Sequence, residues 1–213
     1  MAPRGAHTRD ELVRAAEHLF ARHGVGGTLT KQIVARAGQG NDSAVQYHFG
    51  SRQGLLEAVL SKHLTRMEQQ WLPALPHLRT DDELQPVVAS LIAPLADELL
   101  TEDGRDFLRI IPGIAGWAGI RTHALPSQLR NTALAEQLEL LEQRCLRVLA
   151  HDLALERIAM VISMLTAALA DRAHRIDEQL PVLLDHRCFV ANLIAMISAA
   201  LLAPSPAATG DAP

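Results

Sequence analysis

Two short stretches near the N-terminus carry side chains of the kinds that meet DNA. Thr28, Thr30 and Lys31 stand where a short helix would begin. Hydroxyls, backbone N–H groups and a cation placed there can meet phosphate. Further on, Asn41, Asp42, Ser43 and Gln46 put short polar or amide side chains on the exposed face of a second short helix. Glutamine pairs bidentately with adenine in the major groove, and asparagine does so where its backbone points it inward. Gln39 stands in the polar turn between the two helices and joins this DNA-facing set. Tyr47 and His48 can donate to phosphate or pack against sugar; the alternative is that one of them caps a small core. Asp42 reads as the N-cap of its helix rather than as a base contact. Arg52 opens the next helix and is expected to reach phosphate across the groove. Val45 and Phe49 read as core. A short polar helix ending in Tyr47-His48-Phe49 suits a major groove better than a core.

The elements that must hold these residues are helices. No run alternates with period two for long, and Ala and Leu dominate. A first helix is expected over residues 9–23, with Thr8 and Glu11 as a capping box. Its apolar face is Leu12, Ala15, Ala16, Leu19 and Phe20. Gly24 is its stop and Val25-Gly26-Gly27 the turn. The second helix starts near Thr28 or Thr30, either of which could be its N-cap. It packs Ile33, Val34 and Ala37 inward and ends at Gly38. The third helix spans residues 43–49. Ser51 caps the fourth, whose stripe is Leu55, Leu56, Val59, Leu60, His63, Leu64 and Met67.

Beyond Trp71, Leu72-Pro73-Ala74-Leu75-Pro76 reads as a break. Helices follow over residues 82–101, 104–111, 127–151, 155–175 and 182–202. Pro86 fits a first turn, Pro94 should kink or split its helix, and Pro112 ends one. Residues 113–119 form a Gly-rich apolar link around Trp117. The fold expected is all-α: a three-helix helix-turn-helix head (residues 1–52), a larger helical ligand-binding and dimerisation body (53–203) and a disordered tail (204–213).

Composition bounds the rest. The chain has 213 residues, and a chain this long can bury roughly 70% of its unfolded surface, so it needs no disulfide or metal for stability. Cys145 and Cys188 read as free buried thiols. The start has no apolar run, and 190–203 is too short to span a bilayer, so a soluble, cytoplasmic protein without a membrane partner is expected. The net charge of −4 divides unevenly. Residues 1–66 hold seven Arg and two Lys against five acids, a net +4, while 67–213 hold eleven Arg against nineteen acids, a net −8. The basic excess lies with the helix-turn-helix, where phosphates would be. The acidic remainder would repel DNA and help to orient the head.

These residues resemble the TetR family of bacterial transcriptional regulators. The resemblance rests on Ala15-Ala16, Leu19-Phe20 and Gly24, on Thr28, Ile33 and Ala37-Gly38, and on Val45, Phe49, Gly50-Ser51-Arg52 and Leu55. A weaker likeness continues in 168–173 and 185–202. The turn at Gln39-Gly40-Asn41-Asp42 is one residue longer than the family's common turn, and Gln46 stands where a phosphate-contacting tyrosine is usual, with Tyr47 beside it. The resemblance implies a homodimer on double-stranded operator DNA, a repressor by family default, released by a small-molecule effector. It implies that the last two helices pair with those of a second copy. Ile158, Ile162, Leu165, Leu169, Leu193, Ile197 and Leu201, on helices apolar around much of their circumference, are the interface candidates. Phe107, Ile110, Ile111, Trp117, Leu138, Leu141, Met160 and Met164 are the candidates to line an effector cavity, with ordinary core packing as the alternative for each. Arg109, Arg121 and His123 could meet an anionic group or stand in solvent.

Other classes have little support in the residues. The ten histidines include no pair at i, i+3 or i, i+4, so no helical metal motif appears. There is no Gly-x-Ser-x-Gly elbow, and Gly24-Val25-Gly26-Gly27 follows a helix rather than a strand. No catalytic residue, metal or cofactor is therefore expected. The rival reading is a helical protein-interaction module that does not bind DNA.

Overall fold

The computed structural model describes residues 4–41, 43–114, 129 and 131–204. Among them there are nine α-helices, one 3-10 turn and no strand. The head is α1 (Arg4–Gly27), α2 (Thr30–Arg36) and α3 (Ser43–Phe49). The body is α4 (Arg52–Thr80), α5 (Leu84–Asp97), the 3-10 turn Glu98–Leu100, α6 (Glu102–Ile114), α7 (Ala133–Leu146), α8 (His151–Asp177) and α9 (His186–Leu201).

The expected apolar face of α1 is the buried one: Leu12, Ala15, Ala16 and Phe20 are all 5% exposed or less. The helix starts at Arg4, so Thr8 lies a full turn inside it and is not its N-cap. Gly24 breaks α1 with φ of 72°. Gly38, at φ 67°, closes α2 in a left-handed turn, where its own N–H reaches Ala35 O and that of Gln39 reaches Val34 O. Those are the two bonds of a Schellman stop, in which a Cβ would strain the backbone. The N-cap of α2 is Leu29, not a threonine; Gln32 Oε1 accepts from Leu29 N at 2.8 Å. Ser51 caps α4 as expected, accepting from Gly54 N.

α4 ties the two parts together. At 29 residues it is about 44 Å long. Leu55, Leu56 and Val59 complete the head's core, while Met67, Trp71, Leu75 and Leu78 enter the body's core. α6 adds Ile110 and Ile114 to the head's core, so the hydrophobic packing runs across position 52. The break expected at residues 72–76 is absent: α4 runs through Pro73 and Pro76. Both prolines are exposed while Trp71, Leu75 and Leu78 are buried. The carbonyls that lose a donor, Gln69 and Leu72, also lie on exposed residues, and burial on the other face outweighs the roughly 3 kcal/mol cost of a helical proline. Pro94 does not split α5, which tightens into the 3-10 turn only after Asp97. Pro112 lies inside α6 rather than ending it.

Cys145 is buried, and burial pushes its thiol up to about 11. Cys188 is exposed, contrary to expectation, at the first turn of α9. By length and hydropathy α8 is the one described helix able to cross a membrane, although its sides pack against α6, α7 and α9. Most of the expected tail lies outside the described residues.

Candidate nucleic-acid interface and interior cavity

The head presents one polar face. Lys31 is exposed and Thr30 half-buried in the first turn of α2. On α3, Val45 is buried while Ser43 and Gln46 point outward. Tyr47 is 84% exposed, which removes the reading that it caps the core. Its ring meets the edge of half-buried His48, at 4.9 Å. Asn41 Oδ1 accepts from Ser43 N at 2.9 Å at the start of α3, and Asp42, the expected N-cap, lies outside the described residues. Gln39 is half-buried and donates back to Ala37 O. Phe49 is half-buried, with the Arg9 guanidinium 5.1 Å from its ring. Arg9 was missed from sequence because its partner lies two helices away.

Two expected contacts face the other way. Thr28 is fully buried, and its hydroxyl donates to Gly24 O at 2.9 Å and Leu19 O at 3.2 Å. It locks the end of α1 and has no surface to offer phosphate. Arg52 donates to the carbonyls of Val25 and Thr28, with its guanidinium 5.6 Å from the Phe20 ring. The turn between α1 and α2 exposes carbonyls with no helical donor, and a planar cation satisfies two at once. Arg52→Ala is therefore expected to lower stability by about 2–3 kcal/mol, the scale of hydrogen bonds to a charged group. Urea unfolding checks this; an arginine that served only phosphate would change stability by less than about 0.5 kcal/mol.

Behind the head lies a buried charged junction. His63 of α4 is fully buried, bonded through Nδ1 to Glu98 Oε2 at 2.5 Å and through Nε2 to Glu17 Oε1 of α1. Arg66 adds a two-pronged pair to Glu98. Lys62 Nζ lies 2.8 Å from Glu17 and 2.7 Å from Asp103. Burial alone would pull His63 down, but the bonds to Glu17 and Glu98 carry it above its ordinary value. Burial opposes ionisation of Asp103 too, yet Lys62 and Thr101 hold it well below the usual carboxylate range. Glu17, His63 and Asp103 have the spacing of a metal triad, but the Lys62 ammonium sits between the two carboxylates and already supplies the positive charge. A second link joins Asp106 of α6 to Arg22 at 3.0 Å and His18 at 3.3 Å on α1. Burial raises Asp106 against the pull of Arg22 and His18, while burial and the neighbouring Arg22 lower His18.

The junction touches a cavity. The His63 ring stacks on Phe107 with centroids 4.3 Å apart. Phe107 in turn lines an apolar cavity of about 180 Å³ in the body. Ile111, Leu138 and Leu141, three of the effector-cavity candidates, are in the same wall together with Leu64, Trp71 and Ile92.

Comparison with known proteins finds a family likeness in the head. Residues 12–59 match the model of the bacterial regulatory proteins, tetR family. Over these residues the head is similar to that family. No curated protein matches it. Among solved structures, a Mesorhizobium loti protein described as a tetR-family transcriptional regulator is 19% identical, with 93% of this chain and 97% of that one covered and a TM-score of 0.47. The structure of RolR without ligand is 20% identical, covers 92% and 98%, and has a TM-score of 0.38.

Several expected body residues have other roles. Ile110 belongs to the head's core and Met160 is 62% exposed on the outer side of α8. Met164 is half-buried against the body's core and is not in the cavity wall. Trp117, with Arg121 and His123, lies outside the described residues. Arg109 pairs with Asp177 at 3.4 Å and is spoken for. Of the expected interface set, Ile158, Leu169, Leu193, Ile197 and Leu201 are buried within the single chain, and half-buried Ile162 and Leu165 line the cavity along with Ile197. The opposite sides of these helices are the exposed ones: Met160 and Ala167 on α8, and Ala191, Ala195, Met196 and Ala199 on α9. Both sides carry apolar residues, and periodicity alone cannot say which faces inward.

Proposed function

We propose that this regulator is a twofold dimeric repressor that grips operator DNA through α2 and α3 and releases it when a small molecule fills the body cavity. The observation that carries the DNA part is the outward face of Ser43, Gln46 and Tyr47 beside Lys31. A tyrosine that is 84% exposed has no packing reason to stand there, while its ring and hydroxyl suit sugar and phosphate. Asn41 and His48 flank this face, and Thr30 stands at the start of α2. Half-sites about one helical turn apart are read by the two heads of a dimer. The outer faces of α8 and α9 meet in a second copy, which accounts for an α8 apolar enough for a bilayer without invoking one. The division into a head of residues 1–52 and a body of 53–203 is a division of labour rather than of packing.

The release mechanism runs through the junction. A ligand that shifts Phe107 moves the ring against which His63 is stacked. His63 holds Glu17, and so α1 of the head. A ligand acts only by favouring one of two head orientations.

The test is a gel-shift titration against DNA flanking the protein's own gene, at two salt concentrations and with random competitor. Lys31→Ala is expected to weaken binding on every sequence and to lower the salt slope by about one. Gln46→Ala is expected to cost about 1–3 kcal/mol and to relax sequence preference. A folded Lys31→Ala/Gln46→Ala variant that retains DNA like the parent would sink this reading and leave the protein-interaction module.

A further inference from the structure

We propose that the buried junction is a proton-operated latch between head and body: the arrangement that holds operator DNA carries a proton on His63, and operator affinity falls as that proton leaves. This inference rests on the DNA reading of the head and adds a second regulator, the proton, which acts without any molecule in the cavity.

The bonds of the ring require the proton. A neutral imidazole has one N–H and one lone pair, and only the imidazolium donates from both nitrogens. Both nitrogens of His63 face carboxylates: Nε2 meets Glu17 Oε1 of α1, and Nδ1 meets Glu98 Oε2 of the 3-10 turn at 2.5 Å. The ring and both acids are 4% exposed or less. A lone pair turned towards a carboxylate oxygen is repulsive there, so the geometry seats the charged ring. Burial opposes that charge, and the bonds to Glu17 and Glu98 outweigh it and raise His63.

The groups around the ring keep their charges while it titrates. From α4, Lys62 reaches Glu17 and Asp103, and Arg66 grips Glu98. Burial opposes both cations, yet their carboxylate partners raise them further. Asp103 of α6 is held low against burial by Lys62 and Thr101. The neighbouring link on α6 pairs Asp106 with Arg22 and His18. Burial raises Asp106, and burial and Arg22 lower His18, so His18 titrates below its ordinary 6.5 while His63 titrates above it.

Loss of the proton has a defined consequence. Arg66 NH2 lies 2.9 Å from Nδ1 and can donate to a lone pair there. The neutral ring therefore keeps its N–H on Nε2. The bond to Glu98 is lost, and Glu17 no longer faces a cation at that nitrogen. Three buried carboxylates are left with two cations, an imbalance that the interior tolerates poorly. Glu17 is the head's share of this cluster, so α1 is held less firmly against the body. A ligand that pushes Phe107 strains the same His63–Glu17 contact, so ligand and proton loss favour the same released arrangement. The latch is at full strength below pH 6.5 and weakens as pH rises through the latched value of His63.

The test titrates operator DNA against the full chain by fluorescence anisotropy, at fixed ionic strength, from pH 6 to 9. The parent's Kd should rise about fivefold to tenfold over this range, the factor by which one charge strengthens a hydrogen bond. His63→Gln, which cannot titrate at this site, should bind throughout as the parent does at pH 9. His7, His23 and His48 are common to both proteins, so the difference between the two curves isolates His63. Glu17→Gln removes one of the anions that raise the ring and should move the midpoint to lower pH. Should His63→Gln fail to fold, that midpoint decides alone. Parallel curves for the parent and His63→Gln, an affinity that rises with pH relative to His63→Gln, or a midpoint unmoved in Glu17→Gln overturns the proposal. Nitroxide labels at Asp10→Cys and Val148→Cys, with Cys188→Ser, report the head against the body without DNA. A head–body distance that changes with pH only where His63 is present supports the latch even if no operator is bound, which would be a failure of the DNA reading alone. An unchanged distance overturns the latch and leaves the DNA reading standing.

Discussion

Ala195→Arg on the outer side of α9 is expected to turn the proposed dimer into a monomer and to weaken operator binding by at least about a hundredfold. The position is exposed, opposite the buried Leu193, Ile197 and Leu201. Arginine is a good helix former, and a solvent-facing substitution of this kind changes monomer stability by no more than about 0.5 kcal/mol. In the dimer the same site would bring two long cations into a face built of Ala191, Ala195, Ala199 and Met196, where small side chains let helices come close. Like charges buried without partners are strongly unfavourable there. Joining two heads on one frame multiplies half-site affinity by about 10² to 10⁴, and that factor is what the monomer loses. The added charge is positive, so repulsion from phosphate cannot explain the loss. Sedimentation equilibrium and a gel shift on one preparation decide the matter. An Ala195→Arg protein that stays dimeric, or a monomer that binds its operator like the parent, would show that this face is not what joins the heads.

The head was the most legible part of the chain, because its signals are local. Ser43–Phe49 has the bounds expected from sequence, Gly24 and Gly38 stop their helices, and Ser51 caps α4. Each rests on residues within one turn of each other. The misreadings came from contacts that cross the fold. Arg52 and Thr28 are the right types for phosphate, but their donors go to carbonyls that the α1–α2 turn leaves without helical partners. The prolines of α4 read as breaks because sequence does not reveal that they fall on an exposed side. α8 and α9 are apolar around much of their circumference, so sequence places Ile158 outward and Met160 inward, the reverse of their burial. The charged junction was hidden by distance, since Glu17 and Glu98 lie 46 and 35 residues from His63. One trace of it was readable: Glu17 falls among Val13, Ala16 and Phe20 on the buried face of α1, where an acid needs a partner.

That junction sets the second large effect. Its three carboxylates, Glu17, Glu98 and Asp103, face Lys62, Arg66 and His63. The charges balance only when His63 is protonated. Glu98→Ala removes the carboxylate shared by His63 and Arg66 and leaves two cationic donors facing each other, 2.9 Å apart. Breaking a buried pair in this way costs about 3–5 kcal/mol, or roughly 10 °C in a chain of this size. The pH dependence has a definite sign. His63 is raised above its ordinary 6.5 by the fold, so the stability it contributes is fully present below pH 6.5 and is lost as pH rises through the folded value. The stability gap between the parent and His63→Gln is therefore widest below pH 6.5 and narrows on the alkaline side. Urea unfolding of the parent, Glu98→Ala and His63→Gln across pH 5.5 to 9 measures both effects. A gap that widens with pH would mean that His63 is held neutral. The balance of α1 against the body would then rest on Lys62 and Arg66 alone, and a ligand pressing on Phe107 would find an uncharged ring behind it.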